Sequence, residues 1–278
     1  MKKVLLGIVV LAAMTAGAYS AEADDDAGLQ MEAIDNAYSK QTNRHPDYIF
    51  GRNPALNNTR CDLWEGGTCT YTFPAAAQQM KVVSTSTSDT SNGTGIRQAH
   101  IHYLNGSYQE RNETVTLNGT NSVSTVATDI LRVNGFHAWT SGTNGAAVGT
   151  VSLLNTAGTF TYDVISAGYA SARQAVYTVP AKHFFYISHW QASSGAANGS
   201  HFTQIGIRAT SHKGIYLNNQ FLIVDETATL NNGIEINFPT PIRMPPLTDI
   251  KMVGISDAVN ANAVALGAVM GWLEDSLY

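Results

Sequence analysis

The chain has 278 residues, 44% of them hydrophobic and 13% charged, with a formal net charge of −5. Length and hydrophobic share exclude a wholly disordered chain and allow a core that needs no metal or disulfide. The charged share is about half the ~25% of an average domain. That deficit argues against a helical bundle, and the absence of any basic tract argues against nucleic acid as a partner.

Lys2 and Lys3, the apolar run over 4–13 and the small residues through Ala18-Tyr19-Ser20 read as a secretory signal over residues 1–20. The run is short of the roughly 20 apolar residues of a spanning helix. An uncleaved hydrophobic arm is the alternative. Residues 21–60 read as a linker or arm. Asp24-Asp25-Asp26 is acidic, residues 31–40 suit one short helix, and Asn53-Pro54 and Asn57-Asn58 carry turn chemistry.

Cys61 and Cys69 are the two cysteines, and an even pair in an exported chain predicts a disulfide. Gly66-Gly67 between them would turn a stapled hairpin. Two free buried thiols are the alternative. Zinc is disfavoured because a second cysteine pair is missing.

From Cys61 onward the sequence reads as strand after strand. Expected strands cover 70–73, 79–84, 97–104, 109–117, 122–132, 136–140, 148–154 and 159–165. They continue over 174–179, 183–191, 201–209, 214–224, 233–238, 249–256 and 263–273. The breakers are Asn-Gly pairs at Asn92, Asn105, Asn118, Asn134, Asn144, Asn198 and Asn232. Asn-Gly is the preferred type I′ hairpin pair, so antiparallel pairing is expected rather than crossover helices. The fold class is all-β: an antiparallel β-sandwich, jelly-roll-like, with two packed β-modules after an N-terminal arm. The modules are expected at 61–168, a sandwich, and 169–278, jelly-roll-like, with a seam near Ser166-Ala167-Gly168.

Chemistry is sparse. On one strand His100 and His102 would point to the same face, as a metal site needs. A two-residue hairpin at Asn105-Gly106 would place Arg111 opposite His100, and a cation there disfavours metal. A polar strand face is the plainer reading. His183, His189 and His201 suit packing and hydrogen bonding. Asp225 and Glu226 are adjacent, so on a strand they face opposite ways. Nucleophile-elbow, zincin, Walker and dinucleotide motifs are missing. No catalytic, cofactor-binding or metal-ligating residue is assigned, and no cofactor is expected. Trp64, Trp139 and Trp190 are candidate surface-binding aromatics, with core packing the competing role. Asn-x-Ser/Thr triplets such as Asn57 and Asn112 are no more than this composition produces by chance.

Leu63-Trp64-Glu65-Gly66-Gly67 is followed by Tyr71-Thr72-Phe73-Pro74, Val83-Ser84-Thr85-Ser86 and Gly93-Thr94-Gly95-Ile96-Arg97. Then come Glu113-Thr114-Val115-Thr116-Leu117-Asn118-Gly119, Ile130-Leu131-Arg132-Val133-Asn134, Tyr177-Thr178-Val179-Pro180-Ala181 and Pro245-Pro246-Leu247-Thr248-Asp249-Ile250. This ordered series, over about 62–256, resembles a family of virion structural proteins of tailed phages and other, largely marine, viruses. Lys182 departs from the family's Gly-Lys, and the cysteines and signal-like N-terminus lie outside its pattern. The resemblance implies a non-enzymatic capsid decoration, minor capsid, fibre or tail component. It would bind other virion proteins or itself as a homo-oligomer, a trimer being the usual form, and would reside in the virion. An exported or extracellular location follows if the signal is used. The alternative function is an exported carbohydrate-binding or adhesive surface protein with host surface glycans as partners.

Overall fold

The computed structural model describes residues 43–196, 201–212, 215–216, 220–257 and 263–276. The signal-like segment, Asp24–Asp26, the expected helix over 31–40 and Asn198-Gly199 lie outside these. Backbone contacts divide the chain into Met1–Pro46 and Asp47–Tyr278, and the account below concerns the second unit.

The described elements are strands, and every pairing whose register is resolved is antiparallel. In chain order they are β1 (Arg44–Leu56), β2 (Cys61–Asp62), β3 (Met80–Ser84), β4 (Ile96–Asn105), β5 (Glu110–Thr116) and β6 (Val123–Ser124). Next are β7 (Ile130–Ser141), β8 (Val151–Asn155), β9 (Thr161–Ile165), β10 (Val176–Thr178), β11 (His183–Ala196) and β12 (Phe202–Ala209). Last are β13 (Ser211–His212), β14 (Ile215–Tyr216), β15 (Leu222–Leu230), β16 (Gly233–Met244), β17 (Asp249–Ser256) and β18 (Ala263–Asp275).

Four larger sheets enclose two hydrophobic cores. One pair has strand orders β1-β18-β11-β16 and β10-β17-β12-β15, with β2 also on β17. Between them lie Leu56, Phe185, Trp190, Ile205, Met252 and Val269. The other pair has orders β6-β3-β8-β9 and β5-β4-β7. Val82, Ile101, Val115, Phe136, Leu153 and Ile165 fill that second core. Asp89, fully buried, anchors this half. Its carboxylate accepts from Ser84 Oγ at 2.6 Å, Ile96 N at 2.9 Å, Val148 N at 3.0 Å and Gly149 N at 2.8 Å. Gly95 lies so close that a Cβ there would strike Asp89 Oδ1.

The structure corrects several local expectations. Residues 44–56, read as arm, form a strand in the first sheet. Residues 70–73 are not a strand: the Tyr71 N–H donates instead to Asp62 Oδ2 at 2.6 Å. The expected strand over 122–132 divides into β6 and the start of β7. Asn134-Gly135 is not a hairpin turn but lies inside β7, across from a register shift at His102/Tyr103. The parity of β11 switches at a bulge between Ile187 and His189. Phe185 and Ile187 reach the core before it, Trp190 and Ala192 after it. His183 and His189 therefore do not share a face.

Cys61 and Cys69 are joined in a disulfide, and the Asp62 N–H donates to the Cys69 carbonyl at 2.8 Å. The enclosed loop folds over Trp64, whose Nε1–H donates to the Thr68 carbonyl at 2.7 Å. Closing a loop of this length limits the unfolded chain by about 2.5 kcal/mol. The paired change Cys61→Ser with Cys69→Ser should lower the urea unfolding free energy by about that amount. Equilibrium denaturation of both forms under non-reducing conditions checks it.

Candidate functional site

Of the three tryptophans proposed as surface aromatics, the structure exposes one. Trp64 and Trp190 are 3% and 0% exposed and cannot stack on a ligand. The Trp190 Nε1–H donates to Asp225 Oδ2 at 2.9 Å. Trp139 is 59% exposed. Asp225 is thus a partner of a core indole, and Glu226 pairs with Arg60 at 3.0 Å. His183 Nε2 lies 3.1 Å from Asp275, and His201 Nδ1 lies 2.8 Å from Asp257.

Several segments that carry the sequence resemblance meet between the two cores. Arg132, from β7, holds Asp249, from β17, through two parallel hydrogen bonds of 3.0 and 3.1 Å. Both side chains are 8% exposed. Arg132 also donates to the Pro74 carbonyl and lies 4.7 Å from the centre of the Phe73 ring. The Thr178 hydroxyl donates to Asp249 Oδ1 at 2.6 Å. The Asn134 amide both donates to the Thr178 carbonyl and accepts from its N–H, each at 2.9 Å. Nearby, buried Lys251 donates to Asp62 Oδ2 at 2.9 Å and to the Tyr71 carbonyl at 2.8 Å. Glu65 gathers Arg52, Arg173 and the Ser166 hydroxyl.

Beside this junction lies a cleft of about 660 Å³. Its walls include Asp47, Asp163, Gln174 and Tyr177, with His102 and His137 from the neighbouring sheet. Asp163 is fully buried, and burial is the main cause that holds its carboxyl well above the usual carboxylate range. The Val164 N–H opposes that rise and the charge of Glu65 adds to it. Burial likewise pushes the Tyr177 hydroxyl well up, with the charge of Asp47 adding to it.

Two of the cleft residues, His102 and His137, cluster with a third histidine, His100, which is buried. The β4 residues with inward side chains are Ile96, Ala99, Ile101 and Tyr103. His100 and His102 therefore lie on the outer face. Across the ladder, β7 sets His137 directly opposite His100. The ring centres are 4.6 Å apart for His100–His102, and 5.3 Å for each of the other two pairs. The Trp139 indole stacks on His100 at 4.8 Å. His100 Nδ1 is 2.8 Å from Thr114 Oγ1. Burial lowers all three imidazoles below their ordinary value; the neighbouring imidazoles lower His102 and His137 further.

The turn after β4 is longer than two residues, so His100 is opposite Thr114 and His102 opposite Asn112. Arg111 pairs with Tyr103 and faces away from the imidazoles. The expected cation beside His100 is therefore on the other side of the sheet. His137 escaped the sequence reading because it lies 35 residues beyond His102, and only the β4–β7 ladder joins them.

No family model and no curated protein matches the chain. Among solved structures, the Cowpea Mosaic Virus empty virus-like particle aligns over 73% of this chain and 83% of that chain, with 8% identity and a TM-score of 0.21. The STIV MCP aligns over 82% and 97%, with 8% identity and a TM-score of 0.20. The stem and receptor-binding domain of spike protein P1 of bacteriophage PM2 aligns over 81% and 96%, with 7% identity and a TM-score of 0.18. TM-scores of this size do not define a shared fold.

Two outcomes follow from the junction. Arg132→Met leaves the Asp249 charge buried without its cation, and should cost about 3–5 kcal/mol of stability in urea unfolding. Asp163 contributes stability that is full below its unfolded value of 3.8 and is lost as pH rises through the raised folded value. Asp163→Asn removes that loss. Its urea midpoint should match the parent near pH 3.5 and exceed it at neutral pH, as paired denaturation curves will report.

Proposed function

We propose that this chain is a non-enzymatic structural protein of a virion: a capsid decoration, minor capsid, fibre or tail component. It assembles through contacts with other virion proteins or with copies of itself, a trimer being the expected form. The observation that carries this reading is the strand order. Taken in sequence as eight strands, β1, β10, β11, β12, β15, β16, β17 and β18 divide into the orders β1-β18-β11-β16 and β10-β17-β12-β15, which match the two four-stranded sheets of a jelly roll. That architecture recurs in viral capsid domains, and also in lectins and cupins. The warrant is therefore one of fold-level analogy. On this reading the second sandwich is an insertion between the first and second jelly-roll strands. The two modules, 61–168 and 169–278, then gain β1 as the jelly roll's first strand.

The sequence supports the same function. The segments resembling virion structural proteins supply Arg132, Thr178, Asp249 and Glu65, whose bonds tie the halves together. A stable rigid joint suits a particle component. The low charge leaves flat Thr- and Asn-rich faces suited to packing against neighbours. Location in the virion follows, with export if residues 1–20 act as a signal.

The second reading is an exported carbohydrate-binding or adhesive protein. Exposed Trp139, two residues along β7 from the cleft residue His137, favours it, since sugar rings stack on such faces.

Sedimentation of purified particles separates the two. The virion reading expects the chain to travel with the capsid in fixed stoichiometry. Recovery only from the soluble secretome, with a glycan-array signal lost in Trp139→Ala, would establish the second reading in its place.

A further inference from the structure

The histidine cluster plays no part in the junction's ion pairs, yet it shares a strand with them. β7 carries His137 in the cluster and Arg132 and Asn134 in the junction. The ring centres of His100, His102 and His137 stand 4.6, 5.3 and 5.3 Å apart, so each imidazole packs on both others. Neutral rings tolerate such separations. Three imidazolium ions do not, because like charges this close repel where water is partly excluded. We propose that the cluster is an acid-sensitive latch: neutral, it closes the outer face of β4 on β7; protonated, it loosens that ladder and, through β7, the joint with the other sandwich.

The surroundings leave the latch uncompensated. On β5 the cluster faces Thr114 and Asn112, both uncharged. On β7 its neighbour is Trp139, and Ser171, bridged to His137, is also uncharged. Arg111 and Glu113 pair with Tyr103 and Ile101, on the opposite face of the sheet. Through the cleft, His102 and His137 share walls with Asp47, Glu110 and Asp163. These carboxylates do not offset burial and mutual repulsion, which leave the imidazoles below their ordinary value of 6.5. The unfolded chain therefore binds more protons than the folded one below 6.5. Stability falls as pH drops from there, and the loss is complete once pH passes the lowered folded values. Each imidazole costs up to about tenfold in the folding constant per pH unit over that window. The latch is independent of the virion assignment: it holds for a particle protein and for a glycan binder alike.

Hydrogen exchange of the full-length protein, near pH 7.5 and near pH 5 and corrected for intrinsic rates, reads the opening. Protection of β4, β7 and the Thr178 N–H should fall by about tenfold or more on acidification, while β3 and β8 keep theirs. In the double change His102→Gln with His137→Gln one imidazole remains, and most of that fall should disappear. Asp163 is common to both proteins, so its own pH dependence cancels in the comparison. Two measurements need no substitution in the cluster. Proton NMR of the parent should show three imidazoles titrating below 6.5. Because Trp139 stacks on His100, its emission should drop as His100 takes its proton, a step missing from Trp139→Phe. Cluster imidazoles that titrate at or above 6.5 overturn the proposal. So does protection that is unchanged by acid, that falls equally in parent and double variant, or that falls evenly over all the sheets.

Discussion

Arg132 and Asp249 meet where neither can reach bulk water, and the relation of the two hydrophobic cores rests on that meeting. Withdrawing two charges from water costs several kcal/mol per ion. The pair is sustained because each charge is almost fully satisfied. Asp249 receives two guanidinium bonds and the Thr178 hydroxyl. Arg132 adds two backbone carbonyls and the face of Phe73. Such a pair adds little net stability over an apolar substitute, but it admits one geometry. If β7 slid against β17 by one residue, both charges would be stranded.

That restriction matters because the cores alone would not supply it. Hydrophobic burial is non-directional, so two apolar cores can abut in many ways. The junction adds Lys251 with Asp62, Glu65 with its two arginines, and the reciprocal Asn134–Thr178 bonds. Each is directional, and apart from Glu65 with Arg52 each joins segments distant in the chain. The cleft adjoins this junction through Asn134, which lines the one and bonds within the other. Asp163, His102 and His137 line the same cleft.

Much of the fold was legible in local pattern. β4, β5, β8, β9, β12 and β17 lie within a few residues of their expected bounds, because alternation and Asn-Gly turns act over short range. The failures have separate causes. β1 contains Pro46, Pro54 and scattered polar residues, so it looks like a linker; its place beside β18 is settled by burial of Ile49 and Leu56. Residues 70–73 have strand-like composition, yet the carboxylate of Asp62 takes the Tyr71 N–H that a ladder would have used. Asn134-Gly135 has hairpin chemistry, but the Asn134 amide bonds across the junction to Thr178. The site was less legible. Trp139 and Trp64 look alike in sequence, but Trp139 stands on the outer face of β7, whereas Trp64 lies in the disulfide loop packed against Tyr71 and Val176.

The amino-acid sequence by itself determined that the chain from Cys61 onward is strands and turns, and that Cys61 and Cys69 are close enough to pair. Both are decided by forces acting over a few residues: side-chain alternation, turn torsions and short loop closure. The tertiary structure alone decided which charges share a buried site, which tryptophan meets solvent, and that His137 joins His100 and His102. Those outcomes depend on strand register and bulges, where one residue of slip sends every side chain to the other face.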